Sequence, residues 1–245
     1  MAQVFGPDAF TVGADTNIDA YPSGSPDYAY NLGSGTDLVV NAANDRVQSL
    51  LEDKAARIID GAAPTGTQEC IVDGNSIAGD SSYVAVRCAA AGTADFYIGW
   101  MEDALANEIR LDRLDAGAFT TLVREDRGLT GAATRRWRLR AIGAGATVAL
   151  ETQIDDTRPL AFSDTAADRK TAGPPGLGCG ASGTWVDNLS VDDLAATGSM
   201  ARCGTLSIGT GAAGTTYSAI ALGFQPKVVI LWWTKRNGNL NAAGD

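Results

Sequence analysis

The chain of 245 residues contains no histidine and only four cysteines. The first absence removes Ser-His-Asp and Cys-His nucleophilic catalysis, and it leaves no imidazole to complete a mixed metal site. Cys70, Cys88, Cys179 and Cys203 show no C-x-x-C spacing, which argues against structural zinc. No Gly-x-x-x-x-Gly-Lys stretch opens a helix, so a P-loop phosphate cradle is not expected. No apolar run approaches the roughly 20 residues of a membrane span. The N-terminus lacks a basic stretch followed by an apolar one, so no signal peptide is expected and synthesis is expected in the cytoplasm. Lysine is rare as well. Of 19 basic residues only Lys54, Lys170, Lys227 and Lys235 are lysine, set against 29 acidic residues. The resulting net charge of −10 argues against binding a phosphate backbone, which takes clustered Lys and Arg.

What remains is apolar and turn-rich. Forty-five per cent of residues are hydrophobic and 20% charged, enough for a sizeable core. The 29 glycines, with Thr, Ser, Asp and Asn, separate short apolar runs, which suits an all-β chain. The start of the chain, to about Val47, reads as short irregular strands. Residues 49–59 have mixed spacing, and a loop leading into a strand at Ala55–Ile59 is favoured over a helix. Beyond Gln68 a beat of two sets in. Ser82–Ala89 puts Tyr83, Ala85 and Arg87 on one face and Val84, Val86 and Cys88 on the other. Asp95–Met101 groups Phe96, Ile98 and Trp100, and Glu108–Arg113 turns Ile109 and Leu111 inward with Arg110 and Asp112 outward. Phe119–Arg124, Thr134–Ile142, Ala146–Ile154, Thr157–Phe162, Gly176–Cys179 and Thr184–Val191 follow. About a dozen short strands at roughly 8–12-residue spacing predict a two-sheet sandwich with one buried face per strand.

Around residues 192–201 the pattern relaxes, dividing the chain into a domain at 1–196 and a β-rich segment at 197–245. The segment ends in Val228–Trp233, continuously apolar and therefore expected to be buried on both faces. It is too short for its own core and reads as the start of a second domain or an assembly interface. Trp232 and Trp233 point to opposite sides of their strand, so with Phe224 they are the expected interface residues. Trp100, Trp137 and Trp185 have apolar neighbours and are expected in the core.

Three local features invite a chemical reading. Cys70 and Cys88 lie symmetrically about Gly79 in two strand-like runs, and a hairpin in that register makes a Cys70–Cys88 disulfide geometrically feasible. The plainer reading is two buried free thiols. Arg136, Arg138 and Arg140 alternate with Trp137 and Leu139, giving three guanidiniums on one strand face. They are either balanced by carboxylates on neighbouring strands, with Arg110/Asp112 and Arg124/Glu125 as the expected partners, or they and Arg110 recognise an anionic or hydroxyl-rich ligand. The clusters Asp73/Asn75/Asp80, Asp155/Asp156 and Asp164/Asp168 have oxygen donors of the kind calcium takes, although Asp and Asn also simply make turns. No cofactor is required by any motif.

Two stretches carry a resemblance. The turn-and-strand order Trp137–Leu150, then Arg169 to Gly176 with its Pro-Pro, then Trp185-Val186-Asp187-Asn188-Leu189, resembles the closing half of a concanavalin A-like or laminin G-like jelly roll, over about Phe5–Leu194. Leu222-Gly223-Phe224-Gln225-Pro226-Lys227 with its apolar run to Trp233 resembles a segment of minor tail and fibre proteins of tailed bacteriophages. The Ala-rich, Arg-over-Lys composition fits a high-GC bacterial or phage coding sequence. The resemblance implies an antiparallel jelly-roll sandwich and a virion structural protein, made in the host cytoplasm. Its implied partners are other virion proteins, further copies of itself and host-surface polysaccharide. A capsid decoration or head-fibre protein, a secreted lectin and a divergent glycan hydrolase are the alternatives. Hydrolases of this fold that cut β-glucans carry Glu and Asp at set spacing on one strand. No E-x-D-x-x-E occurs here, and the adjacent pairs Glu102-Asp103 and Asp155-Asp156 alternate faces, so no enzyme is expected.

Overall fold

The computed structural model describes residues 2–194 apart from 22–26, 35, 59–65, 78–79, 103–107, 130–132 and 156. The segment 197–245, with Cys203, Phe224, Trp232 and Trp233, lies outside the described residues. Among those described, the elements are β1 (Ala2–Asp8), β2 (Thr16–Asn17), a 3-10 turn (Ile18–Ala20), β3 (Tyr28–Leu32), β4 (Leu38–Asn41), β5 (Arg46–Ser49), β6 (Lys54–Ile58), β7 (Gln68–Ile77) and β8 (Asp80–Val86). The second half adds β9 (Phe96–Glu102), β10 (Glu108–Asp115), β11 (Ala118–Asp126), β12 (Ala133–Ile142), β13 (Val148–Ile154), β14 (Leu160–Asp164), β15 (Gly176–Cys179) and β16 (Trp185–Asp193).

Every pairing between them is antiparallel, and the described residues form the all-β jelly-roll sandwich expected. One sheet runs β14-β13-β12-β7-β16-β5-β4-β2, with β1 sharing an edge of β16 with β5. The other runs β11-β10-β9-β8-β15-β6-β3. The two meet where β7 and β8 pair at their tip, Ser76 to Ser81 and Ile77 to Asp80, before the strands part into different sheets.

Alternation explains the packing. On β12, Trp137, Leu139 and Ala141 are fully buried while the residues between them face outward. β13 repeats the beat with Val148, Leu150, Thr152 and Ile154, and β16 closes it with Val186, Leu189 and Val191. Across the core stand Val84 and Val86 of β8, Tyr97 and Met101 of β9, and Ile109 and Leu111 of β10. A bulge opposite Val72 lets β16 keep this phase, with Asn188 in the left-handed region at φ 53°.

Three expectations need correction. The second sheet is buried on both faces at its centre. Ala55, Tyr83, Ala85, Phe96, Ile98 and Leu114 form a separate cluster on its outer side, so Phe96 and Ile98 are not in the inter-sheet core. Arg87 adopts φ 58°, which breaks the two-residue period and throws Cys88 into that outer cluster instead of the face of Val84 and Val86. Trp185 is only partly buried and lies under the Arg46 guanidinium, 4.6 Å from its ring centre. Trp137 alone of the three core candidates is fully enclosed.

The irregular N-terminal third is tied down by one carboxylate. Asp8 accepts hydrogen bonds from the Tyr21 hydroxyl at 2.9 Å and the Tyr28 hydroxyl at 3.1 Å, and the two rings pack against Phe10. Arg87 plays the matching part for loops of the middle of the sequence. Fully buried, it donates to the carbonyl oxygens of Lys170, Gly66 and Gly143, joining three loops. Burial without a carboxylate partner pushes its pKa down to about 10.

Candidate functional site

The arginine column does lie on one face, the outer side of the first sheet, but its neighbours are not those expected. β12 is flanked by β7 and β13, so Arg136 stands opposite Asp73, Arg138 opposite Ile71 and Gln153, and Arg140 opposite Glu69 and Glu151. Arg140 binds Glu69 at close range through Nε and lies 3.4 Å from Glu151, while Arg138 is 3.8 Å from Glu69 and donates to Gln153 Oε1 at 3.1 Å. Burial works against the Arg140 charge, but Glu69 and Glu151 outweigh it and hold the guanidinium above its ordinary pKa. Only Arg136, 61% exposed with Asp73 at 4.0 Å, is loosely held. The column is largely neutralised within its own sheet.

Arg110 is not part of it. It sits on β10 of the other sheet, because β9, β10 and β11 form a meander that never borders β12. Arg124 likewise pairs with Glu108, at 3.4 Å, and not with the column. The meander instead builds a second arrangement on its outer face. The two-residue turn Ala116-Gly117, both with positive φ, fixes the β10–β11 register so that Leu114 opposes Phe119. Phe119 is 41% exposed, and its ring lies 6.3 Å from the Trp100 ring, inclined at 45°. The Arg110 guanidinium lies 4.9 Å above the same indole, within cation–π range, and donates to Thr121 Oγ1 at 2.5 Å. Beneath them is Asp112, fully buried. It accepts the Trp100 Nε1 proton at 2.6 Å and lies 3.4 Å from Arg110 Nη2.

This face combines an open aromatic surface with fixed polar groups, the mixture that orients small polar ligands. Phe119 was not singled out from the sequence. The signal was present in a Gly turn followed by an exposed aromatic on what proves to be an edge strand. The strand order that sets it beside Trp100 was not.

Oxygen clusters are otherwise spent internally. Asn75 Oδ1 accepts the Trp185 amide, Asp80 the Ser81 amide and Asp155 the Arg136 amide, while Asp164 and Asp168 hold Arg113 at 3.0 and 2.7 Å. Among the described residues no group of three or more Cys, Asp or Glu is arranged to hold a metal ion. One acid pair was missed. Asp187 stands opposite Asp73 across β16 and β7, with the Asn188 amide bridging them at 3.3 and 3.1 Å. Burial, and then the repulsion of Asp73, Asp45 and Asp8, raises the Asp187 pKa despite the bond it takes from the Asn188 amide. Cys70, Cys88 and Cys179 are buried free thiols. The β7–β8 pairing is one residue out of the register that would centre on Gly79, and the strands diverge before reaching them.

No protein-family model matches the chain, and no curated protein sequence is detectably similar. Its fold has solved relatives. A carbohydrate binding module, CBM66 from Bacillus subtilis, superposes with a TM-score of 0.52 at 12% identity, covering 67% of this chain and 94% of that one. A Bacillus licheniformis β-glucanase gives 0.47 at 9% identity over 78% and 97% of the two chains. The Caenorhabditis elegans galectin LEC-6 gives 0.41 at 9% over 58% and 94%. At such identities the first of these fixes the architecture, an antiparallel jelly-roll sandwich, and nothing finer. Among the described residues no helix is long and apolar enough to cross a membrane.

Proposed function

We propose that the chain is a glycan-binding, non-enzymatic attachment module, and that its ligand lies on the outer face of β9–β11. The observation that carries this reading is the exposed Phe119 ring beside Trp100, framed by Arg110 and Thr121. Sugar rings offer C–H faces to aromatic surfaces and hydroxyls to planar polar groups, and this face supplies both. Among the described residues none of Arg136, Arg138 and Arg140 stacks on an aromatic ring, and Arg138 and Arg140 already face carboxylates. Retention of the pure protein on a panel of insoluble polysaccharides tests the assignment. Phe119→Ala and Trp100→Ala should each weaken the best retention about tenfold, the equivalent of about 1.4 kcal/mol. Arg138→Ala should change it less than twofold. Loss with Arg138→Ala and none with Phe119→Ala would move the site to the first sheet.

The finer assignment is a minor tail or fibre-like component of a tailed bacteriophage. Host-surface polysaccharide is its target, and Phe224, Trp232 and Trp233 are its contacts to other virion proteins or further copies of itself. It rests on the Leu222–Trp233 stretch. Antibody labelling of intact tailed particles, at the tail tip as opposed to the head, is its test; particles that stay unlabelled would end it.

A further inference from the structure

We propose that the β9–β11 face selects uncharged glycans, and that Asp112 is the positioning residue that makes it do so. The inference rests on the glycan-binding reading of this face. An exposed guanidinium over an indole would ordinarily attract carboxylates and sulfates, since its fork matches such anions. Here the guanidinium is answered from below. Asp112 is fully buried, lies 3.4 Å from Arg110 Nη2 and takes the Trp100 Nε1 proton at 2.6 Å. The Asp112 carboxylate therefore fixes the tilt of the aromatic platform and sets a negative charge against its cation. Arg110 is also committed to Thr121 and to the indole face, and its side chain is only 15% exposed. The next guanidinium on the face, Arg124, has Glu108 at 3.4 Å. An arriving anion meets two guanidiniums that already have their carboxylates, on a chain of net charge −10. A neutral sugar meets an oriented ring and hydroxyl-matched polar edges.

Asparagine at 112 separates the two duties. Its side-chain oxygen can still accept the indole proton, so the platform stays in place while Arg110 loses the Asp112 charge. The experiment is affinity electrophoresis of the full chain through gels containing neutral polysaccharides (laminarin, mannan, dextran and galactan) or polygalacturonate. Asp112→Asn should raise the ratio of polygalacturonate to neutral-glycan retention above that of the parent. It should gain at least tenfold for polygalacturonate at low salt, a gain lost in 0.5 M NaCl, where ionic attraction is screened. The double variant Arg110→Gln/Asp112→Asn should lose that gain, which a merely structural role for Asp112 would not predict. Glu108→Gln, at the more open pair, should release Arg124 and give a smaller gain, and it serves if Asp112→Asn does not fold. A parent chain that already binds polygalacturonate as tightly as neutral polymer, or variants that gain nothing, overturns the proposal. The polyanion gain is read independently of neutral binding. A parent chain that ignores every neutral polymer therefore sinks the glycan-face reading, while the gain still reports on Asp112.

Discussion

Replacing Arg113 with methionine should expose how much of the sandwich hangs on one guanidinium. Arg113 side-chain atoms are 7% exposed, and they bind Asp164 at 3.0 Å, Asp115 at 2.9 Å and Asp168 at 2.7 Å. Asp164 is itself only 2% exposed and also takes the Tyr97 hydroxyl at 2.7 Å and the Ala166 amide at 2.9 Å. Burial pushes the Asp164 pKa up, but the Tyr97, Ala166 and Arg113 donors together outweigh it and leave the carboxyl below its ordinary value. Removing one partner of such a pair strands a buried charge, at about 3–5 kcal/mol. For a domain of this size that is a fall in Tm of about 6–20 °C. The pH dependence is the sharper test. A carboxyl held low contributes stability that is complete above its unfolded pKa of about 3.9 and is lost as pH falls through the lower, folded value. In Arg113→Met the cation is gone, the Asp164 carboxyl is held low less firmly, and its protonation costs the variant less than the parent as pH falls. Calorimetric melts from pH 7 to pH 3 should show the gap between parent and variant shrinking by more than half. A gap that stays constant, or one worth less than about 1 kcal/mol at pH 7, would refute the reasoning.

Two further outcomes follow from the same physics. Asp187, whose folded pKa is raised, weighs against the fold when ionised and ceases to do so once protonated, so Asp187→Asn should stabilise the protein at pH 7. Its partial exposure limits the effect to a few tenths of a kcal/mol, and denaturant midpoints should show it vanish below about pH 4. Burial drives the Cys88 and Cys179 thiols up to about 12 and Cys70 well above its ordinary value. A Cys203→Ser variant should therefore show no thiol reactive with Ellman's reagent at pH 8 while folded and three in guanidinium. One thiol in guanidinium would instead reveal a Cys70–Cys88 bridge.

The strands of this protein were legible because one buried face imposes a beat of two, and Trp137-Arg138-Leu139-Arg140 or Val148-Ala149-Leu150 announce it residue by residue. Partnership between strands was not. Arg136 to Arg140 meet Asp73 and Glu69 through pairings that join β12 to β7, some sixty residues back, and periodicity carries no information about such contacts. The same blindness grouped Arg110 with the wrong sheet. Local exceptions were hidden for a different reason. The left-handed backbone at Arg87 turns Cys88 over, and nothing in the side chain of arginine signals it. Double-sided burial of β8 and β9 reads in the sequence as ordinary alternation, since Tyr83, Ala85, Phe96 and Ile98 pass equally for outward residues.

The pairing of Ala2 with Asp193 has a practical corollary. Two points 191 positions apart along the chain stand about one strand spacing, roughly 4.8 Å, from each other. This jelly roll is thus built like a plug, with Ala2 and Asp193 side by side on the first sheet. It can be spliced into a host loop, or its ends joined and a new opening cut at the Ala116-Gly117 turn, without forcing any strand from its place.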